Sequence, residues 1–255
     1  MINLKNIKFA YNKPALIVTF LKKRYIILGD LHIGYEKRLI KQGIHIYNIT
    51  DMMSREIINL SKIYKTKNII LLGDIKDSIL HPEQIELESI KKFFNNLKDL
   101  NIIIANGNHD AFLDNIINVK TQHELYLGEV ALLHGNRFPS KEAMKRKVLV
   151  TAHNHIAVNI ELGNNTFVKE KAWLIANINN EVATSFYKEI KTKNLIVLPA
   201  FNPMIIGKSV NSNLKNKNIN PLFNNNIFDY NNSQVYDLSG KLLGNIKFME
   251  ENLKE

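Results

Sequence analysis

The chain has 255 residues, of which 45% are hydrophobic; that fills the core of one large α/β domain or two small ones and excludes disorder over most of the length. Thirty-four Lys and Arg against 24 Asp and Glu leave a formal charge of +10, which steers anionic partners toward the surface. Cysteine is absent, excluding disulfides, a thiol nucleophile, thiolate-held zinc and iron-sulfur clusters, so a metal here must be held by His, Asp, Glu or Asn.

Met1 to Lys13 carries polar residues every second or third position, unlike a secretion signal, and no later run reaches the roughly 20 apolar residues of a membrane helix. The expectation is a cytoplasmic protein with no membrane partner. Tyr25 to Leu28, Asn68 to Leu72, Asn101 to Ala105, Glu129 to Leu133 and Val148 to Thr151 are short apolar runs rich in β-branched residues. They read as strands buried on both faces. Between the first three, Asp51 to Tyr64 places Ile57, Leu60 and Ile63 on one side behind a Thr50 or Asp51 cap, as an amphipathic helix does. Pro82 to Leu97 reads as a second helix with Pro82 at its first position and Ile90, Phe93, Phe94 and Leu97 on one stripe.

Strands alternating with helices imply a largely parallel sheet with helices on its faces. Beyond Glu129 the helices thin out. Ala157 to Leu162, Thr166 to Trp173 and Val182 to Phe186 read as short strands, with a turn at Gly163-Asn164-Asn165, pairing as a second sheet or as antiparallel edges. Asn211 to Asn232 is rich in Asn and weakly periodic, which predicts a surface loop or flap. Val235 to Leu238 and Leu242 to Ile246 form a closing hairpin around Ser239-Gly240. With no repeat and no linker, residues 1–255 are expected to make a single domain.

Each of the five apolar strands is followed by side chains able to bind metal: Gly29-Asp30-Leu31-His32, Gly73-Asp74-Ile75-Lys76-Asp77, Gly107-Asn108-His109-Asp110, His134-Gly135-Asn136 and Ala152-His153-Asn154-His155. In open α/β sheets ligands bind beyond the carboxyl ends of the strands, where these blocks would converge. Five of the eight histidines lie in the blocks, while His45, His81 and His123 do not and read as ordinary loop residues. In extended backbone Asp30 and His32, and likewise His153 and His155, address one small volume; a bent loop would hand them to adjacent metals. The donors are carboxylate, imidazole and amide oxygen without sulfur, a set suited to Mn²⁺, Fe, Zn²⁺ or Ni²⁺ rather than Ca²⁺.

In order, the blocks resemble the signature of the calcineurin-like metallophosphoesterases: D-x-H, G-D-x-x-D, G-N-H-D/E, a lone H and G-H-x-H, spanning Tyr25 to about Val158. Gly29 to Glu36 and the short spacings are most similar to archaeal phosphoesterases related to SbcD, a repair-nuclease subunit. The resemblance implies a four-layer α/β fold, a β-sandwich flanked by helices. It also implies two divalent ions, Mn²⁺ first, with Ni²⁺, Fe²⁺ or Zn²⁺ as alternatives. Asp30, His32 and His155 would hold one ion, Asn108, His134 and His153 the other, and Asp74 both. His109 matches the catalytic histidine, with Asp110 and Asp77 beside it. Ala152 replaces the glycine of G-H-x-H; if that glycine serves a positive φ, alanine strains the turn by about 1 kcal/mol.

The implied reaction is hydrolysis of a phosphate ester by metal-activated hydroxide. Lys37, Arg38 and Lys41 after the first block, and Arg137, Lys141, Lys145, Arg146 and Lys147 after the fourth, could form a basic rim for a phosphate backbone. Lysines elsewhere in the chain make a solvated face an equal reading. Aromatics for base stacking are sparse near the motifs beyond Tyr35, Tyr47 and Phe138, and Phe112 and Leu113 are expected to pack. Three functions stay open: a phosphodiesterase acting on nucleic acid or nucleotides, a hydrolase of small phosphate esters (a phosphomonoesterase or cyclic nucleotide phosphodiesterase), and a non-catalytic interaction module.

Overall fold

The protein's structure, a computed structural model, describes residues 6–44, 48–119, 121–163, 166–212 and 220–252. His45, Tyr47, the Asn164-Asn165 turn and residues 213–219 of the Asn-rich stretch lie outside the described residues. The first sheet contains β1 (Ile7–Phe9), β2 (Leu16–Phe20), β3 (Lys23–Leu28), β4 (Asn68–Leu72), β5 (Asn101–Ala105) and β6 (Thr121–Gln122), hydrogen-bonded in that order. β1 to β3 form an antiparallel meander, and β3 to β6 run parallel. The connections carry α1 (Glu36–Lys41), α2 (Ile49–Ile63), α3 (Gln84–Asn96) and α4 (Leu113–Ile116).

The chain then continues through β7 (Glu124–Leu127), β8 (Val130–Leu133), α5 (Lys141–Met144), β9 (Val148–Thr151), β10 (Ile156–Gly163), β11 (Thr166–Lys171) and β12 (Trp173–Asn177). It ends with α6 (Asn180–Phe186), β13 (Asn194–Val197), β14 (Lys208–Ser209), α7 (Pro221–Asn224), β15 (Gln234–Tyr236), β16 (Leu242–Asn245) and α8 (Ile246–Asn252). The second sheet is mixed, in the order β16-β15-β12-β13-β9-β8-β7, and β11-β10-β14 form a third, smaller sheet.

Alternation along the strands sorts the core. Leu16, Ile27, Ile70 and Leu72 of the first sheet share one buried cluster with Leu132, Val150, Trp173 and Ile196 of the second. The residues between them, Ile26, Leu28 and Leu71, face the opposite side and pack with Ile57 and Leu60 of α2 and Ile90 and Phe93 of α3. Leu149, Leu174 and Val197 likewise turn away from the shared cluster toward Met144 of α5, Ala183 of α6 and Phe223 of α7. Each such side chain contributes about 1.5–3 kcal/mol on burial. The class is therefore α/β, with several mixed sheets and helices.

Several expectations need correction. Thr50 and Asp51 lie inside α2, whose cap is Asn48 at φ 67. Pro82 precedes α3, which is capped by Glu83. Thr166 to Trp173 is not one strand: β11 and β12 belong to different sheets and divide at buried Ala172. Val182 to Phe186 is helical, because the Asn179 side chain accepts a hydrogen bond from Val182 N and the helix turns Ala183 into the core. Within the Asn-rich stretch, Asn220 caps α7 and Leu222, Phe223, Ile227 and Phe228 are buried.

Candidate metal centre

The strand ends of β3, β4 and β5 in one sheet and of β8 and β9 in the other open onto the same region, and the five blocks meet there. Asp30 (φ 56), His32 (φ 42), Asp74 (φ 50), His153 (φ 71) and His155 (φ 44) all have left-handed backbone, which costs a non-glycine residue about 1–2 kcal/mol. Hydrogen bonds lock these turns. Asp30 N donates to Gly73 O at 3.1 Å, His32 N to Asp74 O at 2.8 Å, and His153 N to both oxygens of the Asp30 carboxylate at 3.2 and 3.0 Å. Gly107 is required by close approach, since a Cβ there would lie 2.2 Å from Asp74 Oδ1 and 2.3 Å from Asp74 N.

Two sets of donor atoms converge. In one, His32 Nε2 is 3.2 Å from His155 Nε2, which is 3.4 Å from Asp30 Oδ1. In the other, His134 Nε2 is 3.3 Å from Asp74 Oδ2 and 3.1 Å from His153 Nδ1. Asp74 Oδ2 lies near both sets, 3.7 Å from His32 Nε2, and is 4.0 Å from His109 Nε2. His134 Nδ1 donates to Leu72 O at 2.8 Å, so the Nε2 of a neutral ring turns its lone pair toward a carboxylate. Lone pairs facing one another at this range need a proton or a metal cation among them. Two ligand nitrogens on one ion at about 2.0–2.1 Å stand about 2.9–3.4 Å apart, and both imidazole pairs fall in that interval. The groups Asp30/His32/His155, His32/Asp74/His109 and Asp74/His134/His153 can each hold a metal ion. Asn108, the remaining ligand expected from the motif, is exposed between Gly107 and His109.

The electrostatics agree with a cation-seeking site. Burial alone would raise Asp30 and Asp74, but His155 and His134 beside the first and His134 and His109 beside the second hold both below the usual carboxylate range. Burial disfavours charge on His134, yet Asp74 and Asp30 outweigh it and push its pKa up to about 9. His153, desolvated and next to His134, drops to about 4. In His155 the pull of Asp30 exceeds the burial effect and raises the pKa.

The chain matches no protein-family model and no curated protein. Among solved structures it is similar to the nuclease MPE of Pseudomonas putida, with a TM-score of 0.56 and 15% identity, covering 92% of this chain and 98% of that one. The likeness is one of fold.

His109 Nδ1 donates to the main-chain oxygen of Asp77 at 2.6 Å, which leaves Nε2 facing the centre. The two neighbouring carboxylates therefore do not orient His109. Asp77 Oδ1 instead lies 3.4 Å from His32 Nδ1, and neither atom has a hydrogen-bond partner among the described residues; a carboxylate so placed can orient the imidazole. Asp110 accepts from Ile75 N at 2.7 Å and Gly107 N at 2.8 Å, tying the second block to the third, and burial raises its pKa. Ala152 is buried and is not in the left-handed region, so the expected strain is absent. Its Cβ fills the space that a Cβ on Gly29 would enter at 2.7 Å.

Sequence reasoning overlooked the scaffold behind these donor residues. Buried Asn202 donates to Leu31 O at 2.8 Å, and Lys171 donates to Ala200 O and Asn202 O at 2.7 and 2.6 Å, bracing the Asp30 turn. Desolvation lowers Lys171 to about 8. Glu86 of α3 accepts from Asp77 N and Ser78 N at 3.1 and 2.9 Å. A charged residue on the stripe of Ile90 and Phe93 was the one available signal. Of the residues expected to form a basic rim, Lys37 is paired with Glu83 and Glu86, Arg38 Nε with Asp77 at 2.7 Å, and exposed Arg137 lies 3.4 Å from His123 Nδ1. Arg146 and Lys147 are no part of a rim: they bond Gly128 O and Glu129 at the amino ends of β8 and β9, away from the centre.

Proposed function

We propose that the chain is a metal-dependent phosphodiesterase acting on nucleic acid or nucleotides through two adjacent divalent cations. The observation that carries this reading is Asp74 Oδ2, set within 3.3 to 4.0 Å of imidazole nitrogens from three other strand ends. The fold shared with nuclease MPE supports it. In this reading Asp30, His32 and His155 would hold one cation, Asn108, His134 and His153 would hold the other, and Asp74 would serve both. Mn²⁺ is the proposed ion, and Ni²⁺, Fe²⁺ and Zn²⁺ suit the same donors. Divalent cations bound there supply Lewis-acid polarisation of the phosphoryl group and lower the pKa of water toward neutrality.

The remaining chemistry belongs to the chain. Asp77 O holds the Nδ1–H of His109 so that Nε2 faces the substrate, and in its imidazolium form His109 passes the Nε2 proton to the leaving oxygen or stabilises its charge. Asp77 orients His32, and Asp110 holds the two loops that carry Asp74 and His109. Arg137, Lys37 and Arg38 line the approach for an anionic substrate. The proposal extends to one calcineurin-like domain with the two large sheets packed between outer helical layers, to kinship with the SbcD-related phosphoesterases on the motif alone, and to the cytoplasm; among the described residues no helix is long and apolar enough to cross a membrane. Hydrolysis of bis(p-nitrophenyl) phosphate and of the monoester, each with Mn²⁺ and with chelator, tests it. Mn²⁺-dependent cleavage of the diester is expected; cleavage of the monoester alone, or turnover indifferent to chelator, would overturn it.

A further inference from the structure

Two loops leaving the centre carry exposed rings that the chemistry above does not use. The first follows Asp77. Lys76 is fully buried and donates to the carbonyls of Ser78, Ile79 and Leu80 at 2.5, 3.1 and 2.6 Å, fixing the segment that leads to exposed His81. The second follows His109. Leu113 is buried as expected, but Phe112 is not: it stands at φ 63 with 47% of its surface exposed. Left-handed backbone is an outlier for a bulky side chain, and phenylalanine has no polar atom to recover the cost locally. The result is a ring turned outward onto His81, with centroids 4.3 Å apart and planes 17° from parallel. Ile79 and Leu80 extend the apolar surface, at 57% and 65% exposure. Phe112 is three residues from His109, a reach of at most about 11 Å.

We infer that the His81–Phe112 pair is a stacking platform for a nucleobase of the substrate, so that the centre takes a nucleotide or single-stranded nucleic acid rather than an intact duplex. The inference rests on the phosphodiesterase reading and names its substrate class. Every base has a π face, so such a platform tolerates any sequence. A paired base is already stacked on both sides and reaches the platform only by fraying or flipping. The formal charge of +10 favours approach of the phosphate backbone.

Titration of a short single-stranded oligonucleotide containing 2-aminopurine, in Mg²⁺, reads stacking directly as fluorescence quenching. Quenching is expected with the native protein. Phe112→Ala should abolish it and weaken binding by about 5- to 160-fold, the range for loss of one base–aromatic stack. Phe112→Tyr should keep it, and Phe112→Gly, which removes the ring and the backbone strain together, should lose it in a protein at least as stable. An abasic oligonucleotide of equal length should bind the native and Phe112→Ala proteins alike. Absent quenching, quenching unchanged in Phe112→Ala, or equal weakening for the abasic strand would each overturn the platform. Cleavage of the abasic strand in Mn²⁺ reports separately on the phosphodiesterase reading, so the two can fail independently.

Discussion

Left-handed backbone at non-glycine residues occurs at both ends of the first sheet, with opposite consequences. At one end Leu21 (φ 48) and Lys22 (φ 62) form the two-residue turn between β2 and β3, where Phe20 pairs with Lys23. Positive φ at both positions is what a hairpin turn matched to strand twist demands; Leu21 is 77% exposed, and the conformation serves only to reverse the chain. At the other end Asp30, His32 and Asp74 are buried, and each is locked by hydrogen bonds from another block. There the same local strain aims donor atoms at a shared volume. Strain of one kind thus marks either a turn filled by the wrong residues or a site over-determined by its surroundings, and burial separates the two.

The largest expected effects come from breaking the locked end. Gly107→Ala places a methyl group 2.2 Å from Asp74 Oδ1; displacement of the Asp74 turn should cost about 2–4 kcal/mol and remove metal binding, seen by thermal melting and calorimetric metal titration. Asp74→Ala should also lose metal, and retention of both ions by that variant would break the assignment of Asp74 to the two donor sets. His109→Ala sharpens the comparison differently. Its ring shares a group with His32 and Asp74, both of which already belong to the sets centred on His155 and His153, so metal stoichiometry should persist while kcat falls about 10²- to 10⁴-fold. Unchanged kcat would remove the proposed role.

The site was legible because its signal is discrete. Strands buried on both faces leave unbroken apolar runs, so β4, β5 and β9 match the expected residues and the donor blocks are found directly after them. β13 carries the same kind of run, Asn194-Leu195-Ile196-Val197, and was missed although its signal was present. α6 misled because Val182, Thr184 and Phe186 alternate as a strand would, while the deciding facts, the Asn179 cap and the burial of Ala183, depend on tertiary contacts. Phe112 was expected to pack alongside Leu113, but it stands at a left-handed φ and is 47% exposed while Leu113 is buried. Asn202 and Lys171 act from more than a hundred residues beyond the Asp30 turn that they brace, and no local pattern announces such a role.

A smaller effect follows from protons occupying the place of cations. His134 has an ordinary value of 6.5 raised to about 9, so without metal its proton bridges to Asp74. A raised folded-state pKa stabilises fully below pH 6.5 and ceases to do so as pH rises through 9. Chelator-treated protein should therefore lose on the order of a few kcal/mol between these limits, visible as a falling melting midpoint, whereas metal affinity should rise over the same window as the competing proton leaves. His134→Gln should flatten both curves. A midpoint that climbs from pH 6.5 to 9 would contradict the assigned pairing.

The smallest effect tests the exposed end. Lys22→Gly removes about 1–2 kcal/mol of left-handed strain and returns about 0.4–1 kcal/mol through the freer unfolded chain. The net is a gain of about 0 to 1.6 kcal/mol, at about 2–4 °C in melting midpoint per kcal/mol, with metal affinity unchanged because the turn contributes no donor. The same exchange at the locked end, Asp30→Gly, relieves equivalent backbone strain but deletes the carboxylate that accepts from His153 N and faces His155 Nε2. It should cost stability and metal together. If both glycines instead stabilised the protein with metal binding intact, left-handed backbone at Asp30 would be strain without purpose, and the distinction between the two ends would fall.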